Sequence, residues 1–132
     1  VRSGLHVFYT EADELLASLA APSPVEKRKL VKPVIEADLL VLDDLFLARH
    51  LAPPGADELQ SLLHKRYKLR RSTLITSNRI IDDWATYLGD SALATTILDR
   101  LMHRSVLVEF KGRSYRLKQA ASRLVAKTND SE

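Results

Sequence analysis

A chain of 132 residues that is 45% hydrophobic and 28% charged can bury one real core and is too rich in Leu, Ile and Val to stay disordered. The absence of cysteine excludes disulfides, thiol chemistry and Cys-based zinc sites and fits an intracellular, cytoplasmic setting; no apolar run approaches the roughly 20 residues of a membrane span, and the amino terminus lacks a signal-peptide pattern. The net charge of +3 conceals an asymmetry, because residues 1–60 carry 6 Lys and Arg against 10 Asp and Glu while residues 61–132 carry 14 against 7; the second half holds either a solvated basic face or a surface for an anionic partner such as nucleic acid or nucleotide.

Leu5 to Tyr9 is a short apolar and aromatic run that predicts a strand. Thr10 followed by Glu11, Ala12 and Asp13 reads as an N-cap with acids in the first helical turn. That helix carries Leu15, Leu16 and Leu19 on one face and stops near Pro22 and Pro24, and a weaker helical pattern from Glu26 to about Ile35 is interrupted by Pro33. Leu39 to Leu42 is an apolar run without alternation that ends abruptly at Asp43 and Asp44, the pattern of a strand buried on both faces in a parallel sheet. Pro53, Pro54 and Gly55 predict a loop, Leu59, Leu62, Leu63, Arg66 and Tyr67 a helix, and Ser72 to Ser77 a strand ended by Asn78. A short helix with Trp84, Tyr87 and Leu88 closes at Gly89, and Asp90 or Ser91 caps a longer one through Leu93, Ile97, Leu98 and Leu101. Ser105 to Phe110 predicts a last strand, after which Gly112 turns the chain toward Ser114 to Leu117 and a polar helical tail. Strands alternating with helices predict an α/β domain with a mainly parallel sheet over residues 1–117, and a polar tail over residues 118–132.

Polar side chains just past the carboxyl ends of buried parallel strands line the ligand crevice of such folds. Two strands end that way, one in Asp43 and Asp44, the other in Ser77 and Asn78. An apolar strand closed by paired carboxylates is the Walker B pattern, where the first carboxylate holds Mg²⁺ on a nucleotide and the second orients water; the same residues also serve to begin a turn or cap a helix. Adjacent carboxylates repel each other unless a cation or hydrogen-bond donors offset them. Asn78 equally suits a strand-ending turn. Lys65, Arg66, Lys68, Arg70 and Arg71 sit where cations complement a helix dipole, and His64, Lys68 and Arg71 are alternatively available to a DNA backbone or an adjoining subunit. Trp84 and Tyr87 read as core aromatics. His6, His50, His64 and His103 show no metal-ligand spacing.

Four blocks together give a more specific reading: LLVLDDLF from Leu39 to Phe46, KRYKLRRSTLITSNR from Lys65 to Arg79, LDRLMHR from Leu98 to Arg104, and GRSYRL from Gly112 to Leu117. In this order and spacing the chain resembles the IstB family of transposition-helper ATPases, which belong to the AAA+ group and are related to bacterial helicase loaders. The resemblance implies a three-layer αβα P-loop NTPase core, with ATP and Mg²⁺ as cofactors and double-stranded DNA, a transposase and further copies of the chain as partners. It implies that Asp43 is the metal-site carboxylate, Asp44 the catalytic carboxylate and Asn78 the sensor 1 residue at the terminal phosphate. Arg100 then matches the arginine finger that reaches a neighbouring subunit, with Arg104, one turn on, as the alternative, and Arg116 a sensor 2-like residue. Apart from the resemblance, Arg100 reads as a surface guanidinium paired with Asp99 or another acid. A helicase-loader ATPase and a non-catalytic DNA or protein interaction module are the other functional readings; a phosphatase-like use of Asp43 as nucleophile would want DxDx[TV], and the chain has DDLF.

The sequence departs from the family at one point. Its only glycines are Gly4, Gly55, Gly89 and Gly112, so the phosphate-binding GxxxxGK[ST] loop is not present. The resemblance puts that loop and its strand upstream of Leu5, with the strand lying in the sheet between Ser72–Ser77 and Ser105–Phe110. Together with a first residue that is not Met, this predicts a partial ATPase core that hydrolyses ATP poorly or not at all by itself.

Overall fold

The computed structural model describes residues 2–20, 23–47, 51 and 53–129. Strands β1 (Val7–Glu11), β2 (Leu39–Asp43) and β3 (Ser72–Ile75) form one parallel sheet in the order β1-β2-β3. Leu39 of the central strand lies opposite both Val7 and Ser72. Around the sheet run α1 (Ala12–Ala20), α2 (Pro24–Glu36), α3 (Pro53–Lys68), a single 3₁₀ turn at Ile81–Asp83, α4 (Trp84–Leu88) and α5 (Ser91–His103), and the chain ends in α6 (Tyr115–Asn129), which is exposed along its length. The core is built from Leu40 and Leu42 of β2, Leu16 and Leu19 of α1, Leu59 of α3 and Ile97 of α5, all at most 2% exposed. α1 packs on α3 and α3 on α5. Among the described residues no helix is long and apolar enough to cross a membrane.

Several boundaries differ from the sequence expectation, each for a local reason. β1 takes in Thr10 and Glu11, which pair with Leu42 and Asp43, so Thr10 is ladder rather than N-cap and α1 starts at Ala12 with Asp13 and Glu14 as its first-turn acids. Pro22, His50 and the last residues of the tail lie outside the described residues. α2 is firmer than its apolar pattern suggests, because Ser23 and Glu26 form a capping box: Ser23 Oγ accepts the Glu26 N–H at 3.4 Å, and Glu26 Oε2 accepts the Ser23 N–H at 3.1 Å. Pro33 falls in the last turn, where the helix carries on to Glu36. Pro53, Pro54 and Gly55 do not form a loop; they are the first turn of α3. Proline is at home there, since first-turn N–H groups have no intrahelical acceptor.

The α3–β3 connection is tightly closed. Arg71 N–H donates to the Arg66 carbonyl at 3.0 Å and Arg70 N–H to the Tyr67 carbonyl at 3.1 Å, the two bonds of a Schellman turn, with Arg70 in the left-handed position (φ 54°) that glycine usually fills. Arg66, 1% exposed, points back into the protein. Its Nη1 donates to the carbonyls of Val34 at 2.7 Å, Ile35 at 3.0 Å and Ala37 at 2.9 Å, its Nη2 to that of Ser72 at 2.6 Å, and its Nε to Thr73 Oγ1 at 3.0 Å. One guanidinium thus satisfies the carboxyl end of α2 and ties it to α3 and β3. Further on, Gly89 ends α4 at φ 73° and Asp90 Oδ1 accepts the Leu93 N–H at 3.0 Å to start α5, as expected.

The last expected strand does not form. Residues 105–110 carry no ladder, and Val106 and Phe110 are 89% and 91% exposed. Ser105 and Val106 line one cleft with Ser72 and Thr73, while Leu107 to Phe110 line another with Ile75, Ser77 and Asn78. The segment therefore follows β3 in the same direction across an open slot, and an extended segment becomes a strand only when a neighbour takes up its N–H and C=O groups.

Candidate functional site

β2 ends at Asp43, and side chains from both sides converge on its carboxylate. Tyr9 of β1 donates its hydroxyl to Oδ2 at 2.6 Å. Thr76, just past β3, donates from Oγ1 to Oδ1 and accepts the Asp44 N–H at 2.9 Å. These donors hold the Asp43 carboxyl below its ordinary range, the Thr76 hydroxyl most strongly and the Tyr9 hydroxyl next; partial burial opposes them, and the Asp44 N–H and the charge of Arg116 add smaller contributions. In return, donation to Asp43 raises the Tyr9 phenol, helped by burial and by the charges of Asp43, Glu11 and Asp44.

Beyond Asp43 the chain leaves the sheet through two residues in left-handed conformation, Asp44 at φ 54° and Phe46 at φ 62°. Aspartate visits that region readily, but a bulky residue such as Phe46 occupies it only when the surroundings enforce it. Four bonds do so here. Leu45 N–H donates to the Thr76 carbonyl at 2.9 Å, Ser77 Oγ to the Leu45 carbonyl at 2.7 Å, Phe46 N–H to Asp13 Oδ1 at 3.1 Å, and Arg79 Nε to the Phe46 carbonyl at 3.4 Å. The buried Phe46 ring meets Trp84 edge-on and Tyr87 face-on, both at 5.4 Å between centroids, which makes those two aromatics core, as the sequence indicated. Asp44 hydrogen-bonds through its main chain, and among the described residues its carboxylate accepts no hydrogen bond.

The remaining expected site residues are distributed unevenly. Asn78 lies at the same end of the sheet as Asp43, exposed, lining the cleft that holds Ser77 and Arg79; the residue that touches the carboxylate is Thr76, two positions earlier. Arg116, at the start of α6, is close enough to Asp43 to act on its charge. Arg100 is elsewhere: on the last turn of α5 its Nη1 meets His64 Nδ1, and it lines a cleft with Arg104, Ser72 and Thr73 at the amino end of β3. Tyr9, Thr76 and Asp13 were not singled out from sequence. Their one signal was the requirement for donors beside two adjacent carboxylates, which names a chemistry but no residue until strand register is known.

A parallel sheet covered by helices, with its polar cluster at the carboxyl ends of the strands, defines an α/β protein, and its fold is similar to AAA+ P-loop NTPase folds. The same fold is found in the DnaC helicase loader (TM-score 0.57, 22% identity, 75% of this chain and 60% of that one) and in DnaA from Aquifex aeolicus bound to AMPPCP (TM-score 0.61, 19% identity, 95% and 37%). Residues 1–123 match the family model described as IstB-like ATP binding protein, and the chain belongs to that family. Among its relatives, the ATP-binding protein of insertion sequence IS5376 from Geobacillus stearothermophilus is 30% identical over 120 residues, covering 90% of this chain and 47% of the relative. That of insertion sequence IS21 from Pseudomonas aeruginosa is 34% identical over 123 residues, covering 90% and 44%. The chain spans about half the length of the curated relatives it matches.

Proposed function

We propose that this chain supplies the carboxylate-bearing part of an ATP-binding and ATP-hydrolysing site, in an insertion-sequence helper protein that acts on double-stranded DNA with a transposase. The observation that carries this reading is Asp43, held by two hydroxyls at the carboxyl end of a parallel strand, with Asp44 next to it in the left-handed conformation. Ligand crevices of parallel α/β sheets open at that end. The donor set fits hydrated Mg²⁺, which takes carboxylate oxygens and keeps several of its waters; each Asp43 oxygen engaged by one hydroxyl retains a lone pair for such a water. The bound ion would supply charge neutralisation at the phosphates.

The other residues take roles consistent with their positions. Asp44, with no intramolecular bond on its carboxylate among the described residues, suits the orientation of an attacking water. The amide of Asn78 donates and accepts at once, as a contact to the terminal phosphate requires, and Arg116 adds positive charge near Asp43. Arg100 is separated from Asp43 by the length of β3, so we assign it to the nucleotide of an adjoining copy, with Arg104 the alternative donor. A guanidinium stays charged and spreads hydrogen bonds over phosphate oxygens as charge develops there. The phosphate-binding loop we assign to a segment whose strand fills the slot between β3 and residues 105–110.

Calorimetric titration of ATP·Mg²⁺ tests this division of the site. The 132-residue chain should bind weakly at most, whereas the chain extended at its amino end by the strand, GxxxxGK[ST] loop and helix of an insertion-sequence relative should bind saturably and hydrolyse. Tight binding by the short chain would overturn the division, and absence of binding by the extended chain would overturn the ATP reading itself.

A further inference from the structure

Arg100 stands on the last turn of α5 and Arg104 at its carboxyl end, and α5 packs on α3. Across that seam α3 presents His64 and Tyr67, three residues apart and so on one helical face. Arg100 Nη1 meets His64 Nδ1. One turn further on, the Tyr67 hydroxyl meets His103 Nδ1 at 2.9 Å, and the Arg104 guanidinium lies over the Tyr67 ring at 6.0 Å from its centroid.

A guanidinium has only N–H groups to offer, so the nitrogen that meets it is an acceptor, and the ring proton of His64 sits on Nε2. That the acceptor is neutral has a physical consequence. The sequence offered Asp99 or another acid as the partner of Arg100, yet among the described residues Arg100 forms no ion pair. A carboxylate would hold the guanidinium about twice as strongly as a neutral group does and would offset its charge, and that bond would have to break before the arginine met a phosphate. An imidazole nitrogen instead fixes the direction of the side chain and removes part of the rotamer freedom otherwise lost on binding. It leaves the charge, and the other N–H groups of the fork, to phosphate oxygens. His64 and Arg100 are both half-buried, so water competes for the contact only from one side.

We propose that His64 is a positioning residue: its Nδ1 holds Arg100 in the orientation from which the guanidinium reaches the nucleotide of an adjoining copy. The inference rests on the assignment of Arg100 to that nucleotide and adds the group that presents it. His64 touches no substrate and acts through Arg100.

Two measurements test this. In nitrogen NMR of the 132-residue chain at neutral pH, the His64 ring should carry its proton on Nε2, and Arg100→Ala should move the Nδ1 resonance. A proton on Nδ1, or a resonance that Arg100→Ala leaves in place, overturns the proposal. The second measurement is assembly-stimulated ATP hydrolysis by the amino-terminally extended protein on DNA. His64→Ala should lower kcat by roughly 10-fold to 10²-fold with KM for ATP unchanged, and His64→Gln, which keeps a neutral acceptor, should recover most of the loss. His64→Glu separates positioning from a purely structural tie between the helices. A carboxylate keeps the bridge from α3 to α5, so a structural tie predicts parental kcat, whereas a finger engaged by an acid predicts a kcat as low as that of His64→Ala. Unfolding midpoints equal to that of the parent confirm that the variants are folded; should His64→Ala unfold, the contrast between His64→Gln and His64→Glu decides. Parental kcat in His64→Glu overturns the role of His64, and the finger reading survives as long as Arg100→Ala abolishes the stimulation. Full stimulation in Arg100→Ala overturns the finger reading, and the role of His64 with it.

Discussion

Asp43 accepts a hydroxyl hydrogen bond on each carboxylate oxygen, and donors to a charged form favour that form. A carboxyl depressed in the folded state contributes stability that is complete above its unfolded value and is lost as pH falls through the lowered folded value. Tyr9 behaves in the opposite sense. Its phenol is raised above the ordinary 10.0, so its bond to Asp43 is present between the Asp43 titration and 10.0 and is lost as pH rises through the raised value. In an NMR titration of the carboxyl carbons, Asp43 should titrate below its ordinary 3.8. Thr76→Val should move it back upward by more than Tyr9→Phe does, because the Thr76 hydroxyl is the larger cause. An unchanged Asp43 titration in Thr76→Val would show that the hydroxyl does not hold the carboxylate.

At the scale of elements, Arg66 joins α2, α3 and β3 through one buried group. Its pKa is lowered by burial first and by Arg71 next, with Asp38 opposing, yet a guanidinium starts so high that it stays charged. Truncation to Ala would leave the carbonyls of Val34, Ile35 and Ala37 without their donor. Each buried acceptor left unsatisfied costs about 1–3 kcal/mol, with neighbouring costs not additive, so Arg66→Ala should destabilise by roughly 2–4 kcal/mol. Arg66→Lys should recover only a minor part, since an ammonium cannot span Val34 and Thr73 together. Urea denaturation measures both; a loss below about 1 kcal/mol for Arg66→Ala would mean that the α2 end is satisfied by other means. Arg66 also shows the limit of sequence reading: its place on the apolar face of α3 was legible, but which carbonyls it meets depends on chain 30 residues away. β2 was legible to its last residue because its unbroken apolar run stops at the carboxylates, although only Leu40 and Leu42 are fully buried and Leu39 and Val41 are half-buried. The first turn of α3 was hidden because prolines mark helix starts and loops alike. Residues 105–110 have strand composition, but composition does not provide a neighbouring ladder. The carboxylates were visible as residue types at a strand end and Asn78 as a polar residue near one, although β3 stops at Ile75, short of the expected Ser77; Tyr9 and Thr76 became members of the site only through pairing register.

For the whole molecule, Asp43 and Arg100 stand at opposite ends of β3, which makes assembly a testable requirement. In the amino-terminally extended protein assembled on DNA, Asp44→Asn should lower hydrolysis by a factor on the order of 10² to 10⁴ while ATP binding persists. Arg100→Ala should spare binding by an isolated subunit and abolish the stimulation that comes with assembly; a finger supplied in trans is worth roughly 10³ to 10⁵ in related GTPases. A mixture of the two variants restores some interfaces with both groups intact, so partial activity should return. A mixture as inactive as either variant, with assembly confirmed, would move the role to Arg104.

The chain contains a single tryptophan, and its position makes the protein optically self-reporting. Trp84 is 4% exposed, lies edge-on to Phe46 and donates its indole N–H to the Arg79 carbonyl at 3.4 Å. Phe46 closes the strained turn that follows Asp43, so any ligand or partner that relaxes or tightens this turn changes the surroundings of the indole. Its emission should therefore follow events at the carboxylates without an introduced label, and a change confined to the arginine-lined cleft should leave it silent.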